Sequence, residues 1–140
     1  MDPIVDALKT DEIADLEAKR TWVRDHYEDD AKHNYESVDG KLRLLDVILR
    51  NGWIAASERV KLLCLGVTFG DALAQELGLK WIAVQDDYGR DPALTVEGTS
   101  IRIFPLTSIA KRIEGGEEVN VFDLFESACG SIEQLIRDGA

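Results

Sequence analysis

The densest group of reactive side chains in this 140-residue sequence lies in one segment, Asp86-Asp87-Tyr88-Gly89-Arg90-Asp91. It combines three carboxylates, a guanidinium and a phenol, and its glycine can supply the positive φ that a tight turn needs. In such a turn the arginine could bind a carboxylate or a phosphate while the tyrosine stacks on a ligand. The candidate ligand- or partner-binding residues are therefore Asp86, Asp87, Tyr88, Arg90 and Asp91.

The same segment also has a structural interpretation, and we expect that one to be the commoner outcome. Arg90 can form an ion pair with Asp86, Asp87 or Asp91, and carboxylates in a turn readily accept hydrogen bonds from nearby backbone amides. A calcium loop is not indicated, because the alternating oxygen ligands closed by a glutamate are absent. The segment thus predicts a polar turn, with recognition as the alternative.

A second polar group recurs at helical spacing and comprises His26, Asp29, Asp30, His33 and Glu36. Two imidazoles with a carboxylate are a known ligand set for a divalent metal. On a straight helix, however, the two histidines would stand ~10 Å apart along the axis, too far to hold one ion. We predict a solvated helix end with no metal.

Catalysis and cofactor binding find little support in the remaining residues. Cys64 and Cys129 lie in apolar helical patterns, and Ser100 and Ser108 lie in no nucleophile elbow. No phosphate-binding loop or dinucleotide fingerprint is present. We predict no catalytic residue, no cofactor and two buried, reduced cysteines, although a disulfide between the two stays open.

The charge of the chain limits its partners. Its 27 acidic and 16 basic residues give a formal charge of −11, which disfavours nucleic acid and anionic membranes as partners. No stretch approaches the roughly 20 apolar residues of a membrane span, and the start lacks the features of a signal peptide. These features predict a cytoplasmic protein, and a protein partner with a basic surface would fit the charge.

Helical periodicity dominates the first half of the chain. We predict a short helical turn in the first ten residues, a helix from Thr10 to about Asp30, a second over Leu42–Leu49, and a third from Ser57 to Leu77 closed by Gly78. In the third helix, Gly66 and Gly70 predict a close backbone approach to another element. Trp53 either seals the end of the helical layer or, if exposed, indicates an interface.

Strand-like alternation follows in the second half. We predict strands at Lys80–Gln85, Leu94–Val96 and Thr99–Phe104, with a turn over Asp86–Pro92 between the first two. Short connections favour an antiparallel meander. A helix from Pro105 to about Ile113 and a last helix capped by Asn120 complete the chain.

The predicted architecture is therefore a single α+β domain over residues 1–140, a three-stranded antiparallel β-meander with helices packed over it. Residues 1–56 form its N-terminal helical half, and residues 57–140 form a helix, three strands and two helices. A sheet of three strands has edges that must be covered or paired, so a homodimer is a further expectation.

Several motifs occur in an order that resembles a bacterial family, the domain of unknown function numbered 3806. They are the helical Phe69-Gly70-Asp71-Ala72-Leu73, Trp81 at a strand start, Asp87–Asp91, Phe104-Pro105-Leu106-Thr107 and Lys111-Arg112. The resemblance covers about residues 65–125. It implies a compact bacterial α+β domain and supplies no catalytic residues.

Taken together, these features favour a non-enzymatic protein-interaction or accessory module with an acidic surface. The alternative is a small-molecule-binding or hydrolytic protein with its pocket at the Asp86–Asp91 loop. A pocket at that loop would favour the alternative, whereas an exposed apolar patch would favour a protein partner.

Overall fold

A computed structural model describes residues 2–139 and confirms an α+β fold with helices packed over a three-stranded antiparallel sheet. The α-helices are α1 (Thr10–Arg24), α2 (Val38–Arg50), α3 (Arg59–Leu77), α4 (Ser108–Glu114) and α5 (Val121–Arg137). The strands are β1 (Ile4–Asp6), β2 (Lys80–Asp86) and β3 (Gly89–Thr95). Two 3₁₀ helices span Asp29–Glu36 and Pro105–Thr107.

Helix α3 forms the centre of the core. Leu62, Leu65 and Phe69 are almost completely buried along it, and the Phe69 ring meets the edge of Phe125 from α5 at 6.0 Å between centroids. The helix ends at Leu77 and is closed by Gly78 in the left-handed conformation (φ 68°), as predicted. An apolar helix of this kind is stable because other elements cover it on several sides.

The predicted close approach at Gly66 and Gly70 is confirmed. A Cβ on Gly66 would lie 2.1 Å from the carbonyl oxygen of Leu106, and one on Gly70 would lie 2.7 Å from Pro105 and Trp81. The absence of both side chains lets the 3₁₀ helix Pro105–Thr107 rest directly on α3. This contact sets the position of the segment that follows the sheet.

The sheet contains a strand that the sequence did not predict. Strand β1 pairs antiparallel with β2, with Val5 opposite Val84, so the order is β1-β2-β3. The predicted helical turn in the first ten residues is therefore wrong. Ile4 and Val5 are β-branched, and such residues favour a strand when a sheet edge is available for pairing.

The predicted third strand over Thr99–Phe104 is wrong as well, because only one bridge, Leu94 to Ile103, joins it to β3. The Arg102 guanidinium donates hydrogen bonds to the carbonyl oxygens of Thr99 and Ile101 at 2.8 and 2.7 Å. The Thr95 hydroxyl also donates to Ile101 O at 2.7 Å. These side-chain bonds occupy carbonyl groups that a strand ladder would need, so the segment curls instead.

Helix α1 ends earlier than predicted, at Arg24 instead of about Asp30. The chain then turns through the 3₁₀ helix Asp29–Glu36, which delivers Tyr35 into the core with 5% exposure. Helix α2 starts at Val38 because the Ser37 side chain accepts a hydrogen bond from Gly40 N at 2.9 Å. Within residues 2–139, no helix combines the length and apolar character needed to cross a bilayer.

The last helix is capped as predicted. The Asn120 side-chain oxygen accepts a hydrogen bond from the backbone N–H of Asp123 at 3.1 Å. This bond satisfies one of the amides at the start of α5 that have no partner inside the helix.

Candidate functional site

The polar segment Asp86–Asp91 forms a tight β-hairpin. The turn is shorter than the predicted Asp86–Pro92, because only Asp87 and Tyr88 lie between β2 and β3. Gly89 adopts φ 128°, which confirms that this position needs glycine. Arg90 and Asp91 are consequently strand residues, and their side chains leave the sheet on opposite faces.

On one face, Arg90 binds the N-terminal elements. It donates hydrogen bonds to both carboxylate oxygens of Glu12 at 2.8 and 2.9 Å, and a further one to Asp6 at 3.0 Å. Arg90 therefore forms ion pairs, as expected, but the predicted partners Asp86, Asp87 and Asp91 are wrong. The hydrogen bonds from Arg90, followed by one from the Lys9 amide, lower the pKa of Glu12 to about 2.

Beside the Asp86 and Asp91 side chains lies an open cleft of about 290 Å³, which we call the hairpin cleft. Its walls are Asp86, Asp91, Pro92, Phe104, Leu106 and Thr107. The Asp86 carboxylate also accepts a hydrogen bond from the backbone N–H of Tyr88 at 2.8 Å, which confirms that a carboxylate caps this turn. The cleft brings two of the five candidate residues together with the Phe104–Thr107 segment.

The other candidate residues occupy different positions. Tyr88 and Asp87 are at the hairpin tip, where the Tyr88 side chain is 96% exposed. Arg90 is held on the opposite face with a side chain that is only 16% exposed. The structure thus brings Asp86 and Asp91 into one cleft and directs Arg90 away from it.

A polar network around Asp71 was missed at the sequence level. The Asp71 carboxylate accepts hydrogen bonds from Arg20 at 2.5 and 2.8 Å and from the Trp81 indole at 3.0 Å. It also accepts one from the Tyr35 hydroxyl, which lies 2.9 Å from Thr68. Burial, and then the charge on Asp71, raises the pKa of Tyr35 well above its usual value.

Lys41 extends this network and is itself buried. Its ammonium donates to the Gln75 side chain at 2.7 Å and lies 5.0 Å from the centre of the Tyr35 ring. Gln75 in turn donates to the carbonyl oxygen of Glu36 at 2.9 Å. Burial lowers the pKa of Lys41. One sequence signal could have identified this network, since Asp71 belongs to the family-like motif Phe69-Gly70-Asp71-Ala72-Leu73.

A second cleft, of about 400 Å³, lies beside Trp53. We call it the Trp53 cleft and define it by His26, Tyr27, Arg43, Val47 and Trp53. Trp53 is 53% exposed, and its ring stacks over His26 with 6.1 Å between centroids and an angle of 22°. Of the two outcomes predicted for Trp53, the structure selects exposure.

His26 is held in the Trp53 cleft by its neighbours. Its Nδ1 lies 2.9 Å from the carbonyl oxygen of Trp22, so this nitrogen donates and Nε2 is left for other contacts. The Trp22 ring meets the imidazole edge-on at 4.6 Å between centroids. Across residues 2–139, no three His, Cys, Asp or Glu side chains are grouped so that they could hold a metal ion.

Both cysteines are buried free thiols. Burial raises the pKa of each, that of Cys129 to about 11. Nearby charges have a smaller effect on each pKa than burial does. They are those of Lys19 and Asp15 at Cys64, and those of Glu76 and Glu133 at Cys129. Their environments are therefore distinct, and neither is suited to nucleophilic chemistry at neutral pH.

The structure is that of a small acidic α+β protein with open clefts on its surface. Comparison of the sequence with family profiles identifies residues 41–125 as a match to Domain of unknown function (DUF3806). The chain belongs to this family, as the motifs had indicated. The match begins in α2, so the shared region reaches further towards the N-terminus than the expected residues 65–125. No curated protein matches the chain.

A solved structure has a similar fold. It is a crystal structure of a protein from Bacteroides thetaiotaomicron VPI-5482, superimposed with a TM-score of 0.72 at 17% sequence identity. The match covers 91% of this chain and 47% of the other, so this chain spans about half the length of its structural relative. At this identity the likeness concerns the fold alone.

Proposed function

We propose that this protein is a non-enzymatic interaction module that binds a protein with a basic surface through the Trp53 cleft. The observation that carries the proposal is the half-exposed Trp53 ring, held over His26 at the mouth of the cleft. When a partner removes a large aromatic side chain in this position from water, the burial of its apolar surface stabilises the complex.

The composition of the cleft supports a protein partner. Trp, Tyr and Arg are the residues that contribute most binding free energy at protein interfaces, and all three occur here as Trp53, Tyr27 and Arg43. Val47 adds an apolar side chain that is 39% exposed. The cleft therefore offers aromatic and aliphatic contacts with polar groups at its border, as interfaces do.

The charge of the chain supports a basic partner. A formal charge of −11 attracts a positively charged protein over several ångströms and raises the association rate at low ionic strength. The salt bridge between Arg43 and Asp39, at 2.6 Å, leaves the cleft itself close to neutral. Steering by the acidic surface and anchoring at Trp53 are thus separate contributions.

The proposal is tested by comparing the variant Trp53→Ser with the control variant Val60→Ser. Val60 is 68% exposed at the start of α3 and is not part of the Trp53 cleft, so it controls for the loss of an exposed apolar side chain. The wild type is used to capture a partner from its own cells, and the complex is then rebuilt from purified proteins. We expect Trp53→Ser to weaken binding at least about tenfold, as truncation of an interface hot spot does. Equal binding by both variants would show that the partner uses another surface.

The alternative, a small-molecule-binding or hydrolytic protein, is supported by the hairpin cleft beside the predicted loop. This cleft supplies the Asp86 and Asp91 carboxylates and the Thr107 hydroxyl, but its walls contain no histidine or cysteine. The arrangement therefore supports binding more than hydrolysis. A screen of ester and phosphate substrates that finds turnover abolished by Asp91→Asn would favour the enzyme.

Self-association stays a prediction. Strand β1 pairs with β2 on one side only, and Ile4 and Val5 are 47% and 44% exposed. A bare edge of this kind can pair with the same edge of a second copy. Light scattering over a concentration series tests the idea, and a constant monomer mass would remove it.

A further inference from the structure

We propose that the hairpin cleft is a second recognition site, which takes a lysine or arginine side chain from a basic protein segment. This site is separate from the Trp53 cleft, shares no residue with it and does not depend on it. The proposal rests on the placement of two carboxylates, on the absence of a cation among the cleft walls, and on the apolar residues that line the same cleft.

The hairpin register places the two carboxylates on one face of the sheet. Asp86 pairs with Gly89 and Val84 pairs with Asp91, so the side chains of Asp86 and Asp91 project on the same side. Gly89, opposite Asp86, has no side chain, and nothing lies within 4 Å of where a Cβ would stand. The space between the two carboxylates therefore stays open to a ligand.

No cation of residues 2–139 neutralises this pair. Arg90 is the basic residue nearest in sequence, but it leaves on the opposite face, where Glu12 and Asp6 bind it. No lysine, arginine or histidine is among the cleft walls, and neither Asp86 nor Asp91 forms an ion pair with any described side chain. A cationic ligand would supply the missing charge.

The remaining walls suit the aliphatic stem of a basic side chain. Pro92 and Leu106 offer apolar contact, and the Phe104 ring is 45% exposed. Lysine and arginine pack their methylene stems on apolar surface while the charged end reaches a polar group. A cation over an aromatic face gains further attraction from the ring quadrupole.

The wall that carries Phe104 and Leu106 is held in place by the core. The backbone of Leu106 rests on α3 at Gly66, and Pro105 rests on α3 at Gly70. A binding wall with a fixed position loses little conformational entropy when a ligand arrives. The two glycines thus position one side of the cleft.

A polypeptide is favoured over a free amine by the surroundings of the cleft. Tyr88 lies at the hairpin tip with 96% exposure, within the turn that the Asp86 carboxylate caps. A polypeptide that places a basic side chain between Asp86 and Asp91 also brings its neighbouring residues to the hairpin, where the exposed Tyr88 can contact them, whereas a small amine brings no further residues. Tyr88 therefore becomes an additional contact for the partner.

The test is an NMR titration of ¹⁵N-labelled protein with short glycine peptides that carry one central residue. Lysine and arginine peptides should shift the amide signals of Asp86, Asp91 and Phe104. The norleucine and Nε-acetyllysine peptides, which keep the stem and lose the charge, should not. The double variant Asp86→Asn with Asp91→Asn should bind at least about tenfold more weakly, because two charge-assisted contacts are lost.

Matched variants keep the result interpretable. Asp30→Asn changes an exposed aspartate outside the cleft and should leave binding unchanged, which separates a local contact from the overall charge. Phe104→Leu should weaken binding less than the double variant does. The ¹⁵N spectrum of each variant reports whether it is folded. If the double variant is unfolded, the single variant Asp91→Asn replaces it in the binding measurement.

Three results of the peptide titrations would overturn the proposal. They are no shift with the lysine and arginine peptides at millimolar concentration, equal shifts with norleucine, and unchanged binding in the folded carboxylate variants. Binding of spermidine without binding of the peptides would instead assign the cleft to a free amine and also reject the proposal. Trp53→Ser should bind the lysine peptide normally, so failure of one site is distinguishable from failure of the other.

Discussion

Arg90 holds Glu12 with two hydrogen bonds across a separation of 78 positions in the sequence. Arg90 lies in β3 and Glu12 in the first turn of α1, so the contact joins the hairpin to the start of the helical half. Asp6 in β1 accepts a third hydrogen bond from the same guanidinium. A planar guanidinium can serve several acceptors in this way, which a lysine ammonium cannot do with the same geometry.

Arg90→Ala should lower the melting temperature by a few degrees without changing the fold. It should also change the acid sensitivity. Because Arg90 lowers the pKa of Glu12 to about 2, the stability from this pair is present above the ordinary glutamate pKa and is lost as the pH falls towards 2. Melting curves between pH 7 and pH 2 should therefore show a smaller loss in the variant than in the wild type.

Glu12→Gln and the double variant complete that measurement. If the pair acts as a unit, the effects of the two single changes will not add, and the double variant will resemble either single variant. Arg43→Ala is the matched control, since Arg43 pairs with Asp39 on the exposed side of α2. Parallel pH profiles for the wild type and Arg90→Ala would show that another carboxylate governs the acid response.

Gly66→Ala should destabilise the protein, whereas the same change at Gly130 should not. A methyl group at Gly66 would meet the Leu106 backbone at 2.1 Å, so the 3₁₀ helix must shift, at a cost of about 1–3 kcal/mol or more. Gly130 is exposed in α5, and a Cβ there would have nothing within 4 Å. Alanine at this position should therefore increase the free energy of unfolding by at most about 1 kcal/mol. Urea unfolding of the two variants measures the difference, and equal effects would contradict the close approach.

The sequence predicted the elements whose signals are local. The third helix, its glycine stop at Gly78 and the Asn120 cap each depend on neighbouring residues, and each is present. The glycine pair at Gly66 and Gly70 indicated a close contact, but it did not indicate which segment makes that contact. Local chemistry is readable because its partners lie within one turn of chain.

The errors share a different cause. Ile4–Asp6 becomes a strand because β2, about 80 positions away, offers an edge for pairing. Arg90 binds Glu12 instead of an adjacent aspartate because the first turn of α1 lies beside that face of the hairpin. In the candidate site, Asp86 and Asp91 were predicted as binding residues, whereas Phe104, which lines the same cleft, was not among them. Such long-range partners follow from the packing of elements, which local patterns do not encode.

The two thiols should react slowly with a thiol reagent in the native protein and rapidly after unfolding. Cys64 and Cys129 are buried, and burial raises the pKa of both, which lowers the thiolate fraction at pH 8. In guanidinium chloride both cysteines of the chain should be titrated. The single variants Cys64→Ala and Cys129→Ala assign the two rates. Failure to detect any thiol in the unfolded chain would instead indicate a disulfide.

Asp71→Ala should destabilise the protein more than any change in the two clefts. Its carboxylate balances Arg20 and also accepts hydrogen bonds from Trp81 and Tyr35, and both charged side chains are mostly shielded, at 12% exposure for Asp71 and 21% for Arg20. Removal of the Asp71 carboxylate leaves the mostly shielded Arg20 guanidinium with Glu17, at 2.7 Å, as its carboxylate partner, and it leaves the Trp81 indole N–H without its acceptor. For such a pair we expect a loss of about 3 kcal/mol in the free energy of unfolding.

Glu76→Ala is the control for that loss, since it removes an exposed carboxylate from the same helix and should change stability by less than about 0.5 kcal/mol. Asp71→Asn separates charge from hydrogen bonding, because an amide can still accept from Trp81 but no longer balances Arg20. Near-ultraviolet circular dichroism should then report a changed Trp81 environment in the alanine variant and a smaller change in the asparagine variant. If Asp71→Ala and Glu76→Ala unfold at the same urea concentration, the network around Asp71 does not stabilise the fold. The grouping of Arg20, Tyr35 and Asp71 would then indicate a binding role instead.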